Sequence, residues 1–271
     1  MPVINYDVDG AVAVITLNRT ERHNAQDREF LQELDQAWME AEADAGTKVI
    51  VLQANGKHFS SGHDLATTPD AAAQWQQDVR REGFSTLYHF EKSVYLGYAR
   101  KWRDVSKPSI AAVQGSCIAA GLMLCWPCDL IIAADNALFS DPVVAMGIGG
   151  VEYHGHTWEF GARKAKEMLF TGDAITAQEA EKLGMVNRVV PLGQLREETM
   201  ALAQRIAEKP PFALAMAKRA VNKTLDIMGQ YAALQAVFDA HWLGHGNAIA
   251  QTGWPALANL EKMKEANKPD Q

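Results

Sequence analysis

The feature that most constrains this chain is a series of short, β-branched apolar runs without polar alternation. They are "AVAVITL" (11–17), "KVIVLQ" (48–53), "SIAAV" (109–113) and "DLIIAA" (129–134), and a further strand is expected at "MVNRVV" (185–190). A strand with one wet face alternates apolar and polar residues; a run that is apolar throughout must be covered on both faces, as in a parallel sheet. Helical spacing fills the gaps. Phe30, Leu31, Leu34, Trp38 and Ala41 recur on one face, with Asn24 as the expected N-cap, Asp27 three residues on, and Gly46 as the stop. Thr176 and Glu179 have the spacing of a capping box for a helix ending at Gly184. Strands alternating with helices predict α/β layers around a mostly parallel sheet.

The pattern changes along the chain. Residues 67–106 begin polar and Gln-rich and turn amphipathic through Phe84, Leu87, Tyr88, Tyr95, Tyr98 and Trp102, which predicts a connection leading into a long helix. From Leu195 onward nothing resembles a strand, and helices are expected over 213–227 and 231–243. The expected organisation is therefore an α/β core over 1–198 and an all-helical region over 199–271. The aromatics Phe212, Tyr231, Phe238 and Trp242 of that region need cover, and a partner subunit is one place to find it.

With 271 residues the chain can bury a sizeable core. Its formal net charge of -7 argues against binding a phosphate backbone, so no nucleic-acid partner is expected. No apolar run reaches the roughly 18 residues of a membrane span, and the N-terminus lacks the charged start of a signal peptide. A cytoplasmic protein without a membrane partner is expected. Three cysteines make no disulfide framework. Cys125 and Cys128 form "CWPC", but with apolar runs on both sides they read as buried core thiols rather than a redox pair or half a zinc site.

Two glycine-rich turns follow buried strands: "ANGKHFSSGHDL" (54–65) and "VQGSCIAAGLML" (113–124). Neither is a P-loop or a G-x-G-x-x-G. Both offer small residues at a strand end, where backbone N–H groups can approach a ligand, and the second opens a helix whose N-terminus favours negative charge. Two such donors converging would make an oxyanion hole; the same small residues would equally serve close packing of strand and helix.

Together with "ITLNRTERHNA" (15–25), "HFSSGHDL" (58–65), "KPSIAAVQGSCIAAGLMLCWPCDLIIAADNALFSDP" (107–142), "FTGDAITAQEAEKLGMVNRVVP" (170–191) and "KPPFALAMAKRAVN" (209–222), the chain resembles a crotonase, that is, a member of the enoyl-CoA hydratase/isomerase family. The resemblance implies an α/β spiral of β-β-α turns, a helical C-terminal region that builds homotrimers or hexamers, and an acyl-CoA thioester as substrate. The thioester carbonyl would lie between the backbone N–H groups of His63 and Ala120, although the family usually has a glycine triplet where this chain has Ala119-Ala120-Gly121. Arg22, His23, Ser61, Asp64 and Leu65 match positions around the CoA moiety, and Arg22 could pair with a phosphate. Trp75, Phe84, Met123, Val143 and Trp158 are expected to shape the acyl pocket. The resemblance implies no metal and no cofactor, coenzyme A being part of the substrate.

The chain departs from the usual hydratase at the carboxylates. Where the two working glutamates would stand it has Met123 and Val143, and neither can move a proton. In some family members the carboxylate lies a few residues beyond the glycine that matches Gly147. The stretch "GIGGVEYHGH" (147–156) puts Glu152 one residue past the simplest register. Glu152 is the first candidate acid/base and His154 the second, with His156 nearby. Glu152 could instead cap the helix beginning near Trp158 or bind Arg163. Hydration of an enoyl-CoA is the leading reading. Isomerisation, thioester hydrolysis and carbon–carbon cleavage on the same scaffold stand beside it, as does acyl-CoA binding without chemistry.

Overall fold

The computed structural model describes residues 2–65, 77, 80, 81, 83 and 85–257. Trp75, Phe84 and most of the polar stretch over 67–81 lie outside the described residues. A hairpin of β1 (Ile4–Asp9) and β2 (Val12–Leu17) starts a six-stranded sheet. It continues in parallel through β3 (Val49–Ala54), β4 (Ser109–Val113), β6 (Leu130–Ala134) and β9 (Arg188–Val190), in the order β1-β2-β3-β4-β6-β9. From β2 to β6 both faces are buried, as the unbroken apolar runs require, while the edge strands β1 and β9 are partly open. Side chains of a strand point alternately to opposite faces. Thus Ala13, Ile15, Leu17, Ile50, Leu52 and Val113 join the main core, while Val12, Val14, Val49, Val51, Ile110 and Ala112 form a second one. Each large side chain so buried contributes about 1.5–3 kcal/mol over its exposed state.

A smaller sheet of β5 (Ser116–Ile118), β7 (Leu138–Ser140) and β8 (Ile175–Thr176) stands beside the first. Ser60 extends it by a parallel bridge to Cys117. The chain thus repeats one route: a long strand in the large sheet, a short one in the small sheet, then a helix. This is the β-β-α spiral that the resemblance implies, and it brings the ends of β3 and β4 side by side.

Helix α1 (Arg28–Ala43) covers the main core with Phe30, Leu34 and Trp38. Its N-cap is Asp27, whose carboxylate accepts from Phe30 N at 2.9 Å, rather than the expected Asn24. Asn24 takes a left-handed φ of 53° and ties loops together instead, its amide donating to Asn55 O and His58 O. Helix α2 (Ser85–Glu91) runs through a π-helical turn (Lys92–Leu96) into α3 (Gly97–Arg103). The short α4 (Leu122–Cys125) follows the second glycine-rich turn. Then come α5 (His156–Thr171) and α6 (Ala177–Leu183), the latter capped by Thr176 as expected.

The last helices are α7 (Leu195–Ala207), α8 (Pro211–Ile227) and α9 (Gln230–Thr252). The expected boundary at 198/199 falls inside α7, which packs on the large sheet through Leu195, Met200, Ala203 and Ala207. The aromatics divide. Phe238 and Trp242 of α9 are buried in the chain's own main core, so they need no partner; Phe212 is 75% exposed and Tyr231 is exposed too. Among the described residues no helix is long and apolar enough to cross a membrane. Cys117, Cys125 and Cys128 are free and buried. Cys125 and Cys128 turn their thiols to the carbonyls of Leu122 and Leu124, and burial raises both pKa values well above the ordinary thiol range.

Candidate active site

The two glycine-rich turns meet. Ser60 N donates to Ser116 O at 3.2 Å and Ile118 N to Ser60 O at 3.0 Å. Gly62 has a φ of +87°, and a Cβ there would lie 2.8 Å from Ile118 O and 3.3 Å from Ala120 N. Glycine is needed for the backbone angle and for the approach alike. On either side of His63, Gln26 N donates to Gly62 O at 2.8 Å and Asp64 N donates to Gln26 O at 2.9 Å. In a parallel ladder that pattern turns the N–H of the residue between, His63, away from Gln26. Ala120 sits at the start of a 3-10 turn (Ala119–Gly121), where the first N–H groups have no intrahelical partner. The positive φ that could have displaced this donor falls on Ala119, at 49°, and not on Ala120.

Glu152 lies on the loop between a 3-10 turn (Val143–Met146) and α5. Asp141, fully buried, holds that loop. Its Oδ2 accepts from Val151 N at 2.9 Å and pairs with His156 Nε2 at 2.9 Å. Among the described residues Glu152 neither caps α5, which opens at Gly155 and His156, nor bonds Arg163. It is buried, with Oε1 3.3 Å from His63 Nε2 and 3.7 Å from His241 Nε2. Burial alone would raise its pKa; the His63 and His241 rings outweigh that and pull it down to about 2. His63 stacks on Tyr95 at 4.1 Å. Tyr95 belongs to the π-helical turn, a deviation frequent at functional sites.

His154 faces elsewhere. Its Nε2 lies 3.1 Å from Thr157 Oγ1 and its ring 4.6 Å from that of His156. Burial, then the His156 charge, lowers its pKa to about 4. Of the residues expected at the CoA moiety, Arg22 and Asp64 are joined at 3.0 Å, and Arg19 pairs with the same carboxylate at 3.0 Å. Ser61 N donates to His23 O at 3.0 Å, the His23 ring meets His58 edge-on at 5.1 Å, and Leu65 is exposed. Two guanidiniums and two imidazoles thus surround the outer end of the first turn. Met123 is buried in the main core, Val143 is packed against it, and Trp158 is partly buried. Sequence reasoning missed His241, Tyr95 and Arg19; the first two become neighbours of Glu152 and His63 only through the tertiary fold.

The fold that carries these turns is matched by known proteins. The family model for enoyl-CoA hydratase/isomerase matches residues 7–242, and the chain belongs to that family. A Mycobacterium tuberculosis protein, EchA13, an enoyl-CoA hydratase by name, is 42% identical over 256 residues, which is 90% of this chain and 80% of that one. The crystal structure of a probable enoyl-CoA hydratase from Mycobacterium smegmatis superposes with a TM-score of 0.88 at 59% identity, covering 95% of this chain and 100% of that one. An enoyl-CoA hydratase/isomerase from Xanthobacter autotrophicus Py2 gives a TM-score of 0.81 at 30% identity, with 99% of each chain covered.

Proposed function

We propose that the chain hydrates an enoyl-CoA, or dehydrates the corresponding hydroxyacyl-CoA, through a thioester enolate. The observation that carries this reading is the buried Glu152 carboxylate 3.3 Å from His63, at the junction of the two turns. The thioester oxygen binds between His63 N–H and Ala120 N–H. Charge that develops there as the enolate forms is stabilised by two donors fixed in advance, each worth roughly 3 kcal/mol. Glu152, kept ionised by the imidazoles beside it, takes the proton of the water whose oxygen bonds Cβ and gives it to Cα as the enolate collapses, and His63 hydrogen-bonds the carboxylate and orients it. The Arg19, Arg22, His23 and His58 cluster receives the phosphates of CoA, Arg22 exchanging Asp64 for a phosphate oxygen. Met123, Val143 and Trp158 supply apolar wall for the acyl chain. CoA belongs to the substrate, and acid–base chemistry on its thioester asks for no organic cofactor. Copies associate through α8, none of whose residues is buried within the chain and where Ile227 is 86% exposed.

The test is loss of the conjugated enoyl absorbance of crotonyl-CoA with wild type and Glu152→Gln. Turnover by wild type, reduced at least about 100-fold in the variant with acyl-CoA affinity retained, is the expected result. Turnover kept in Glu152→Gln would remove Glu152 from the chemistry and turn attention to His154. One observation favours a second reading. Met123 and Val143 leave Glu152 as the carboxylate that meets His63, Asp64 being paired with Arg19 and Arg22, and one base suffices to remove and return a proton in double-bond isomerisation. Wild type that shifts a 3-enoyl-CoA to its 2-isomer without hydrating crotonyl-CoA would establish it.

A further inference from the structure

We propose that Glu91, His241 and His245 form a binding site for one divalent transition-metal ion of the zinc class. The three come from two elements: Glu91 ends α2, while His241 and His245 stand one turn apart on the same face of α9. All three are buried.

The imidazoles are set up as ligands by their other nitrogens. His241 Nδ1 lies 2.6 Å from Gly150 O, and His245 Nδ1 lies 2.6 Å from Pro255 O. A carbonyl oxygen only accepts, so each Nδ1 carries a hydrogen and each Nε2 is the nitrogen left to serve as a ligand. Metal-bound histidines are held in this way, by a carbonyl or carboxylate on the far nitrogen. The two Nε2 atoms face each other at 3.0 Å. Such a contact needs either one proton shared between the two nitrogens or a metal ion bound by both. Glu91 Oε2 completes the set, 3.8 Å from each Nε2 and with no hydrogen-bond partner of its own. An orphaned buried carboxylate oxygen is costly and calls for a partner.

The three separations decide what fits. The nearest point equidistant from atoms 3.0, 3.8 and 3.8 Å apart lies in their plane, about 2.1 Å from each. That is the bond length of zinc to imidazole nitrogen and carboxylate oxygen, roughly 2.0–2.2 Å. Calcium and magnesium take oxygen ligands, and two nitrogens among three donors disfavour both. The arrangement is planar, with the two nitrogens close to a right angle apart. A d10 ion imposes no angular preference and tolerates it. Phe238 stacks on His241 and Trp242 packs on His245, giving the apolar shell that strengthens ion binding. Sequence reasoning expected no metal; the H-x-x-x-H of "HWLGH" (241–245) acquires its carboxylate only when α9 folds against α2. The inference shares His241 with the proposed site but does not rest on the proposed reaction.

The experiment uses the untagged full-length protein, stripped with a chelator. Zn²⁺ is titrated calorimetrically, and Co²⁺ is followed by its visible absorption, in wild type, His245→Gln and Glu91→Gln. The expected result is one ion per chain in wild type, tetrahedral or five-coordinate cobalt bands, and in both variants affinity lowered beyond the roughly 10–100-fold that loss of an outer partner costs. Circular dichroism shows whether each variant is folded; should one fail, the other and the wild-type cobalt spectrum still decide. Absence of Zn²⁺ and Co²⁺ binding by wild type would overturn the proposal and leave a proton shared between the two imidazoles. Binding unchanged in the folded variants would place the ion elsewhere on the chain and overturn it equally.

Discussion

Replacing Gly62 by alanine separates the cost of a backbone angle from the cost of lost contact between the two turns. Gly62 and Gly184 have nearly the same φ, +87° and +91°. A Cβ on Gly184, the C-cap of α6, would meet nothing within 4 Å, whereas one on Gly62 would lie 2.8 Å from Ile118 O and 3.3 Å from Ala120 N. Gly184→Ala therefore pays only for the left-handed conformation, about 1–2 kcal/mol. Gly62→Ala pays the same and must also push the 118–120 backbone away, an overpacking cost of about 1–3 kcal/mol. In urea denaturation the two variants should differ by that second amount. The displaced backbone carries Ala120 N–H, so turnover of crotonyl-CoA by Gly62→Ala should fall about 10²–10³-fold, as for loss of one oxyanion donor, while Gly184→Ala keeps its rate. Equal stability of the two variants together with full turnover by Gly62→Ala would refute both the close approach and the role given to Ala120.

Asp141→Asn removes the charge from the fully buried pair with His156 and should cost about 3 kcal/mol in urea denaturation; a change below about 0.5 kcal/mol would show that the pair holds nothing. Glu159 has its pKa raised by burial from 4.5 to about 7, so the unfolded chain ionises first and the stability contributed by the protonated carboxyl is present below pH 4.5 and lost as pH rises through 7. Glu159→Gln should accordingly stabilise by about 1–3 kcal/mol at pH 8 and by little at pH 4, read from thermal midpoints across that window. The Cys125→Ala/Cys128→Ala double variant should lose about 2–4 kcal/mol with no change in acyl-CoA binding, and a thiol reagent should label wild type only on unfolding. Sedimentation should show a trimer or hexamer for wild type and a smaller species when Phe212 and Ile227 become glutamate; a wild-type monomer would end the assignment of α8 as the contact.

Much of the large sheet is legible because burial on both faces leaves a signature that needs no partner residue: β4 coincides with "SIAAV" and β6 with most of "DLIIAA". The α6 cap is legible for the same local reason, Thr176 accepting from Glu179 N three residues on. The failures are where a side chain answers to the tertiary fold. Asn24 has the chemistry of an N-cap but is consumed by Asn55 and His58, more than thirty residues away. Phe238 and Trp242 read like Phe212 and Tyr231, all aromatics on late helices; which pair is buried depends on α9 folding back and α8 not doing so. His241 carries no local signal at all. It meets Glu152 because Gly244 lets α9 approach the loop, a Cβ there lying 2.8 Å from Gly147 O.

Met123 lies in the core and Val143 is apolar, and Asp64 of the first turn is held by Arg19 and Arg22, so the carboxylate that meets His63 comes from the loop over 147–155. A glycine-rich loop is a poor platform for a buried charge, because its backbone freedom has to be removed by contacts elsewhere. Three contacts do that. Asp141 holds Val151 N from below, Gly150 O accepts from His241 Nδ1 of α9, and His63 meets the carboxylate from the first turn. Each comes from a different part of the chain. The burial of Glu152 is therefore a property of how α9 docks, and substitutions at Gly244, remote from any reacting atom, should disturb the carboxylate as surely as substitutions beside it.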